Sequence, residues 1–389
     1  MESKIKNIGI LSLAKPEYGG IYQYTLSLLK ALKLLEDKYN FFQIRNKSFP
    51  KILDKDIVVP DSLLNKFFKL KILIYFLVGV KIDSFKLHQK IKNLDFIISP
   101  IISLLPYHLD KPYIITIHDF QHEYYPNFFS LKERIYRKFI YKTAKWADIV
   151  ICESKYVKQD IVRFLGISEG KIKVLPSPPP FDLLKIKFNI ENFSKIRDKY
   201  KLPDKYLFYP AQFWYHKNHI NLIKALFFIK SKYNLEVFLV LVGSKKNNFD
   251  NLMNIINDFK MQNQIKYLGY ISYDDIPYLY KMATALVMPS LFESVSIPIW
   301  EAFYFGCPVV SSNVCALPEQ IGEAGLLFDP TNTKDMADKI YRIWTDEELR
   351  KELVKRGYKR IKDFTIQNYA KQWQEIIEEL ISINKRKNT

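Results

Sequence analysis

Nine short apolar runs punctuate the chain, and their spacing limits the fold more than any other feature. They are IKNIGILSL (5–13), FIISP (96–100), YIITIHD (113–119), DIVICES (148–154) and IKVLPSP (172–178), then YLFYPAQ (206–212), VFLVLVG (237–243), ALVMPS (285–290) and CPVVSS (307–312). Near-continuous Ile, Val and Leu, in place of alternation with polar residues, marks strands buried on both faces. Longer stretches with helical spacing lie between them, such as IYQYTLSLLKALKLL (21–35), LKERIYRKFIYKTAKWA (131–147) and KNHINLIKALFFIKSKY (217–233). Strand–helix–strand alternation of this kind predicts doubly wound α/β architecture.

The series breaks once. Residues 176–204, PSPPPFDLLKIKFNIENFSKIRDKYKLPD, open on a proline cluster and continue as charged, irregular sequence. Proline stiffens a connection and cannot join a central strand. A linker is therefore expected over 179–203, between an N-terminal domain (1–178) and a C-terminal domain (204–364), both Rossmann-like. An amphipathic helix, IQNYAKQWQEIIEELI, and a basic tail follow over 365–389. Two such domains facing each other make a cleft. Ligands of doubly wound sheets bind outside the carboxyl ends of the strands, so the informative residues should sit just after the apolar runs.

Charge and cysteine content narrow the setting. Cys152, Cys307 and Cys315 are too few and too scattered for a disulfide framework, which points to a reducing cytoplasm. Ile8–Leu13 is too short for a signal peptide. The longest apolar run, Ile72–Val80, falls well short of the ~20 residues of a spanning helix. Net charge is +18, with 29 basic against 17 acidic residues in 1–180 and 30 against 24 beyond. Such an excess suits anionic partners, nucleotides or acidic lipid surfaces; no nucleic-acid motif accompanies it. The segment NKFFKLKILIYFLVGVKI (65–82) interleaves lysines with apolar residues, and reads either as a patch at a membrane surface or as a core helix with snorkelling lysines.

Four stretches after the runs carry chemistry. Gly19-Gly20, with Tyr22, opens the first helix and makes either a loop that approaches a phosphate or an ordinary turn. His118 ends a buried strand, where it can bond a sugar hydroxyl or pair with the adjacent turn. Its spacing to His122 brings no third metal ligand. Lys217 stands at the mouth of a helix, a good diphosphate site or a solvated lysine. FESVSIPIWEAFYFG (292–306) then places Glu293 before a helix and Glu301 near its first turn, with Ser294 or Ser296 as N-cap, Pro298 inside the start and Gly306 past the end. Carboxylates only accept hydrogen bonds. Two of them beside a phosphate site make sense as grips on hydroxyls, and otherwise as carboxylates favouring a helix N-terminus.

These stretches resemble the retaining GT-B glycosyltransferases of family 4, the group that builds bacterial surface polysaccharides such as O-antigen. The likeness is specific in FESVSIPIWEAFYFGCPVVSSNVCALPEQIGEAGLLFDP (292–330), in KYLGYISYDDIPYLYKMATALVMPS (266–290) and in HKNHINLIKAL (216–226). It is looser in YGGIYQYTLSLLKAL and YIITIHDF. It implies a GT-B fold whose last helix, with Trp373, crosses back to the first domain. It also implies roles: Glu301 on the ribose, Glu293 and the amides of Ser294, Val295, Ser296 and Ile297 on the donor sugar and phosphate, and Lys217 on the leaving diphosphate. Tyr270 lies where backbone meets the base, His118 near the reacting carbon, Gly19 and Gly20 by the phosphate or acceptor. No metal or cofactor is implied; Asp54-Lys55-Asp56 is a poor candidate for a metal-binding acidic pair.

Two departures stand out. Gln212 occupies the place of a second cation, and Ser294 and Ser296 replace two loop glycines. The expected activity is sugar transfer from a nucleotide-diphosphate sugar, of mannose type, to a lipid-linked saccharide, in the cytoplasm or at the inner membrane face. A sugar-nucleotide epimerase or hydrolase on the same fold, and a non-catalytic polyanion binder, remain open.

Overall fold

The computed structural model describes residues 5–15, 19–59, 74, 89–103, 105–109, 111–177 and 185–387. The segment 65–82 lies outside them except for Ile74. The chain divides into two compact units, Met1–Pro180 with Phe364–Thr389, and Phe181–Asp363.

The first unit carries a parallel sheet of β1 (Asn7–Ser12), β2 (Asn40–Arg45), β3 (Lys55–Val58), β4 (Phe96–Ser99), β5 (Tyr113–Thr116), β6 (Ile149–Cys152) and β7 (Ile172–Val174). Their spatial order is β3-β2-β1-β4-β5-β6-β7. The order reverses between β1 and β4, whose register pairs Ile8 with Phe96 and Ile10 with Ile98. Strands β4, β5 and β6 are buried at every position, as continuous apolar runs require. Strands β2 and β3 escaped the sequence reading because Gln43, Arg45, Lys55 and Asp56 interrupt them. Their polar groups are satisfied locally: Gln43 accepts from the amides of Ile52 and Leu53, and Arg45 pairs with Asp56 at 2.8 Å. Lys55 and Asp56 thus open an edge strand, with Asp54 just before it and Asp56 committed to Arg45 and Lys51.

The helix Gly20–Lys33 packs against the C-terminal helix Ile366–Lys387. Trp373, Ile377 and Leu380 of that last helix are fully buried. The amphipathic pattern at the end of the chain therefore completes the core of the first unit.

The second unit repeats the plan with β8 (Leu207–Pro210), β9 (Leu239–Val242), β10 (Ile265–Tyr267), β11 (Ala285–Met288), β12 (Val309–Ser312) and β13 (Gly325–Phe328), in the order β10-β9-β8-β11-β12-β13. All are parallel, and the reversal falls between β8 and β11. Both sheets are Rossmann-like, as the alternation predicts. Part of the stretch read as irregular linker is helical. Ile190–Tyr200 forms a helix capped by the Asn189 side chain on the Glu191 amide at 3.1 Å and ended by Lys201 in the left-handed region. The nearby prolines masked that signal.

Candidate functional site

The reversal in the second sheet places two loops side by side, one after β8 and one after β11. Such a reversal opens a crevice at the carboxyl ends of the strands. The β8 loop runs through a single 3-10 turn, Tyr215–Lys217, into the helix His219–Tyr233. Asn218 sits between them at φ 57° and donates through Nδ2 to the carbonyls of Pro289 and Pro330, both at 2.9 Å. The Leu291 amide donates to the His216 carbonyl at 2.7 Å. These bonds clamp the β8 loop to the end of β11.

The clamp brings Lys217 Nζ into an ion pair with Glu293 Oε1, across 75 intervening residues. Ser290 Oγ donates to the same carboxylate oxygen at 2.8 Å. Tyr209 donates to the Lys217 carbonyl at 2.8 Å and lies 3.3 Å from Ser290 Oγ. Glu293 is 9% exposed, so its charge has few waters and is held by lysine and serine. Beneath Lys217, His219 is buried between the rings of Phe213 and Tyr209, 4.5 and 4.7 Å away. Neither of its ring nitrogens has a hydrogen-bond partner among the described residues. Burial, then the Lys217 charge, push its pKa down to about 3. A neutral ring adds no positive charge below the lysine.

The helix Ile297–Phe305 spans the residues its caps predict, with Pro298 in its first turn and Gly306 at φ 68° closing it. Ser296 occupies the N-cap position but makes no capping bond with its side chain. Gln320 instead fixes the backbone of Ser296. It accepts from the Ser296 amide at 2.8 Å and donates to the Ser296 carbonyl at 2.6 Å. The Ser296 amide is thus engaged inside the unit. Glu301 is the fifth residue of the helix and is 7% exposed. Tyr280, from the helix before β11, donates to its Oε2 at 2.7 Å. Burial lifts the Glu301 pKa to about 7, against the opposing pull of that bond.

Gln212 accepts from the indole N–H of Trp214 at 2.9 Å. Tyr270, just past β10, is 88% exposed. Gly243, at the end of β9, has φ 149° and meets the Ala211 backbone so closely that no Cβ fits. Glycine there lets the β8 and β9 loops cross at contact distance.

In the first unit, Gly19 has φ 56° and starts the helix Gly20–Lys33, its carbonyl accepting from Gln23 N at 3.1 Å. A Cβ on Gly20 would meet open space, so its small size is not demanded by neighbours. The Tyr22 ring lies 5.2 Å from Phe49. His118 follows β5 and joins the ends of three adjacent strands. Its Nδ1 lies 2.7 Å from Glu153 Oε2, after β6, and its Nε2 lies 2.8 Å from the Pro100 carbonyl, after β4. Burial opposes charge on the ring, but the Glu153 hydrogen bond and charge, with Pro100, raise its pKa overall. Both ring nitrogens are engaged within the unit, so a sugar hydroxyl meets either one only by displacing such a bond. Tyr24 covers the ring edge-on at 4.8 Å.

Sequence reasoning passed over Glu153, Tyr280, Ser290 and Gln320. Glu153 alone carried a signal, a carboxylate directly after the apolar run DIVIC. The others resemble ordinary strand-end and helix residues until the sheet brings them together. Among the described residues no group of three or more His, Cys, Asp or Glu is placed to hold a metal ion, and no helix is long and apolar enough to cross a membrane.

Residues 18–178 match the model for Glycosyltransferase Family 4, and residues 192–360 match the model for Glycosyl transferases group 1. The chain is 28% identical to O-antigen chain mannosyltransferase B of Escherichia coli over 273 residues, 69% of this chain and 70% of that protein. It is 25% identical to O-antigen chain mannosyltransferase RfbU of Salmonella typhimurium over 331 residues, 83% and 87% of the two chains. Among solved structures, Anabaena HepE in complex with UDP and glucose superposes with a TM-score of 0.75 at 19% identity, covering 96% of this chain and all of that one.

Proposed function

Because the chain belongs to the family 4 glycosyltransferases and has their GT-B fold, we propose that it moves a mannose-type sugar from a nucleotide-diphosphate sugar to a saccharide carried on a lipid. Configuration at the sugar is retained, and the work is done in the cytoplasm at the inner membrane face. The named mannosyltransferase relatives support the choice of sugar and the surface-polysaccharide setting.

The observation that carries the reading is the Lys217–Glu293 pair at the reversal of the second sheet. Departure of a nucleoside diphosphate builds negative charge on its bridging oxygen. Lys217 meets that charge, aided by the amides of Ser294, Val295 and Ile297 at the start of the helix. An isolated Glu293 would repel the diphosphate; paired with Lys217 it adds no net charge, and its oxygens accept from sugar hydroxyls. Glu301, once ionised, accepts from the ribose diol in place of the Tyr280 hydroxyl or beside it. Gln212 leaves Lys217 as the cation of this loop.

A thermal-shift panel of UDP, GDP, ADP and their mannose and glucose conjugates tests this, on wild type and Glu301→Gln. Ligand at a hundred times its Kd stabilises by ~2.7 kcal/mol, a shift of a few degrees for a chain of this size. The expected result is a shift with one nucleotide family, reduced in the variant. A flat panel across all of them would defeat the reading.

A further inference from the structure

We infer that Tyr24 is a positioning residue for His118, and that the C-terminal helix holds Tyr24 in place. The inference rests on the proposed transfer, with His118 beside the reacting carbon as the family resemblance implies. The contacts to Glu153 and to the Pro100 carbonyl fix the two ring nitrogens, at 2.7 and 2.8 Å. They still let the ring rock about the line that joins those nitrogens. Tyr24 restrains that motion, because its ring stands at 84° to the imidazole with the centroids 4.8 Å apart.

Tyr24 is itself held from two sides. It is the fifth residue of the helix Gly20–Lys33 and is 2% exposed. Its hydroxyl lies 3.2 Å from Thr116 Oγ1, at the end of β5 and two residues before His118. That contact ties the tyrosine to the strand that carries the histidine. The same helix packs against Ile366–Lys387, where Tyr369 is also 2% exposed. Tyr369 comes close enough to Tyr24 for each hydroxyl to affect the other's ionisation, and the Glu153 charge bears on both. Burial pushes both tyrosine pKa values up, so both hydroxyls stay neutral. Of these four residues His118 reaches furthest toward solvent, with 14% of its side chain exposed against 4% for Glu153. A reacting group at the surface thus stands on a close-packed support that has no slack. Misplacing such a group by about 1 Å can cost ~10²-fold in rate.

Two readouts test this on the full chain. Relaxation of carbon-labelled histidine rings needs no substrate. The His118 ring should be rigid in wild type, mobile in Tyr24→Leu and largely rigid again in Tyr24→Phe, which keeps the aromatic contact. Thr116→Val loosens the tyrosine without opening the core, and should mobilise the ring to a smaller degree even where Tyr24→Leu fails to fold. The second readout is turnover of whichever UDP, GDP or ADP sugar stabilises wild type in the thermal-shift panel. Tyr24→Leu should lower kcat by roughly tenfold or more with the donor KM little changed, and Tyr24→Phe should regain most of the loss. In a His118→Ala background Tyr24→Leu should cost nothing further, because it acts through that ring. A His118 ring as rigid in Tyr24→Leu and Thr116→Val as in wild type overturns the proposal. So does a rate loss of equal size with and without His118, the mark of general destabilisation. A fully active His118→Ala variant overturns it at its premise, while nucleotide-specific stabilisation in the panel would leave the proposed transfer standing.

Discussion

Tyr280 donates its hydroxyl to Glu301 at 2.7 Å, and both groups are shut away from solvent. Burial has moved the carboxyl from its ordinary 4.5 to about 7. A raised folded-state pKa means that the native state holds the proton more tightly than the unfolded chain. The stabilisation is complete below about 4.5 and is lost as pH rises through about 7. A shift of this size corresponds to about 3 kcal/mol. The wild-type melting temperature should therefore fall between about pH 4.5 and 7 in a way that Glu301→Gln does not. Melting temperatures of the two proteins measured side by side should diverge as pH rises through this window, and equal slopes would refute it. Nucleotide affinity should run the other way, strengthening as Glu301 ionises.

Lys217→Met should reduce turnover by ~10²–10³, the usual cost of removing one charge-stabilising donor from a transition state. Lys217→Arg should recover part of the loss. Lys217→Met also strands Glu293, leaving Ser290 as the partner of its Oε1 among the described residues. Glu293→Gln added to Lys217→Met should therefore regain stability without regaining activity. Steady-state rates alongside denaturant midpoints separate these effects, and full activity in Lys217→Met would remove it from the reaction.

His118 faces two acceptors, a carboxylate and a carbonyl, so both bonds form when the ring carries two protons. Its raised pKa contributes stability that is present below about 6.5 and lost as pH climbs past the folded value. Glu153→Gln removes the charge that holds the second proton. Nitrogen NMR of labelled histidine should show His118 titrating above the usual histidine range in wild type and at lower pH in the variant. An identical titration in the two proteins would contradict the pairing.

Gly243→Ala should cost on the order of 3 kcal/mol, since it combines a positive φ with a backbone collision against Ala211. Gly20→Ala, which meets open space, should leave the melting temperature nearly unchanged. The contrast tests whether glycine is demanded by the fold or left free for a ligand.

Much of this architecture is legible without coordinates, for identifiable reasons. Strands β4, β5, β6, β9 and β11 read as near-continuous apolar runs because they are buried at every position, and the helix Ile297–Phe305 announces itself through Pro298 and Gly306. Edge strands β2 and β3 carry charges that satisfy one another only after folding, as Arg45 and Asp56 do. The candidate site was legible residue by residue and opaque in its pairing. Lys217 and Glu293 each suggested a task, but only adjacency of β8 and β11 joins them. Glu153 reached His118 in the same way, through neighbouring strands β5 and β6.

The C-terminal helix has a consequence for how the protein is made. Its Trp373, Ile377 and Leu380 belong to the core of the first unit, yet residues 181–363 are translated before it. At ~5–20 residues per second that interval lasts on the order of 10 to 40 seconds. Throughout it, the helix Gly20–Lys33 waits on the ribosome without the C-terminal helix that will pack against it. The second unit, unbroken in sequence, has no such delay. The half made first is therefore finished last, and during synthesis it is the half that calls for a chaperone.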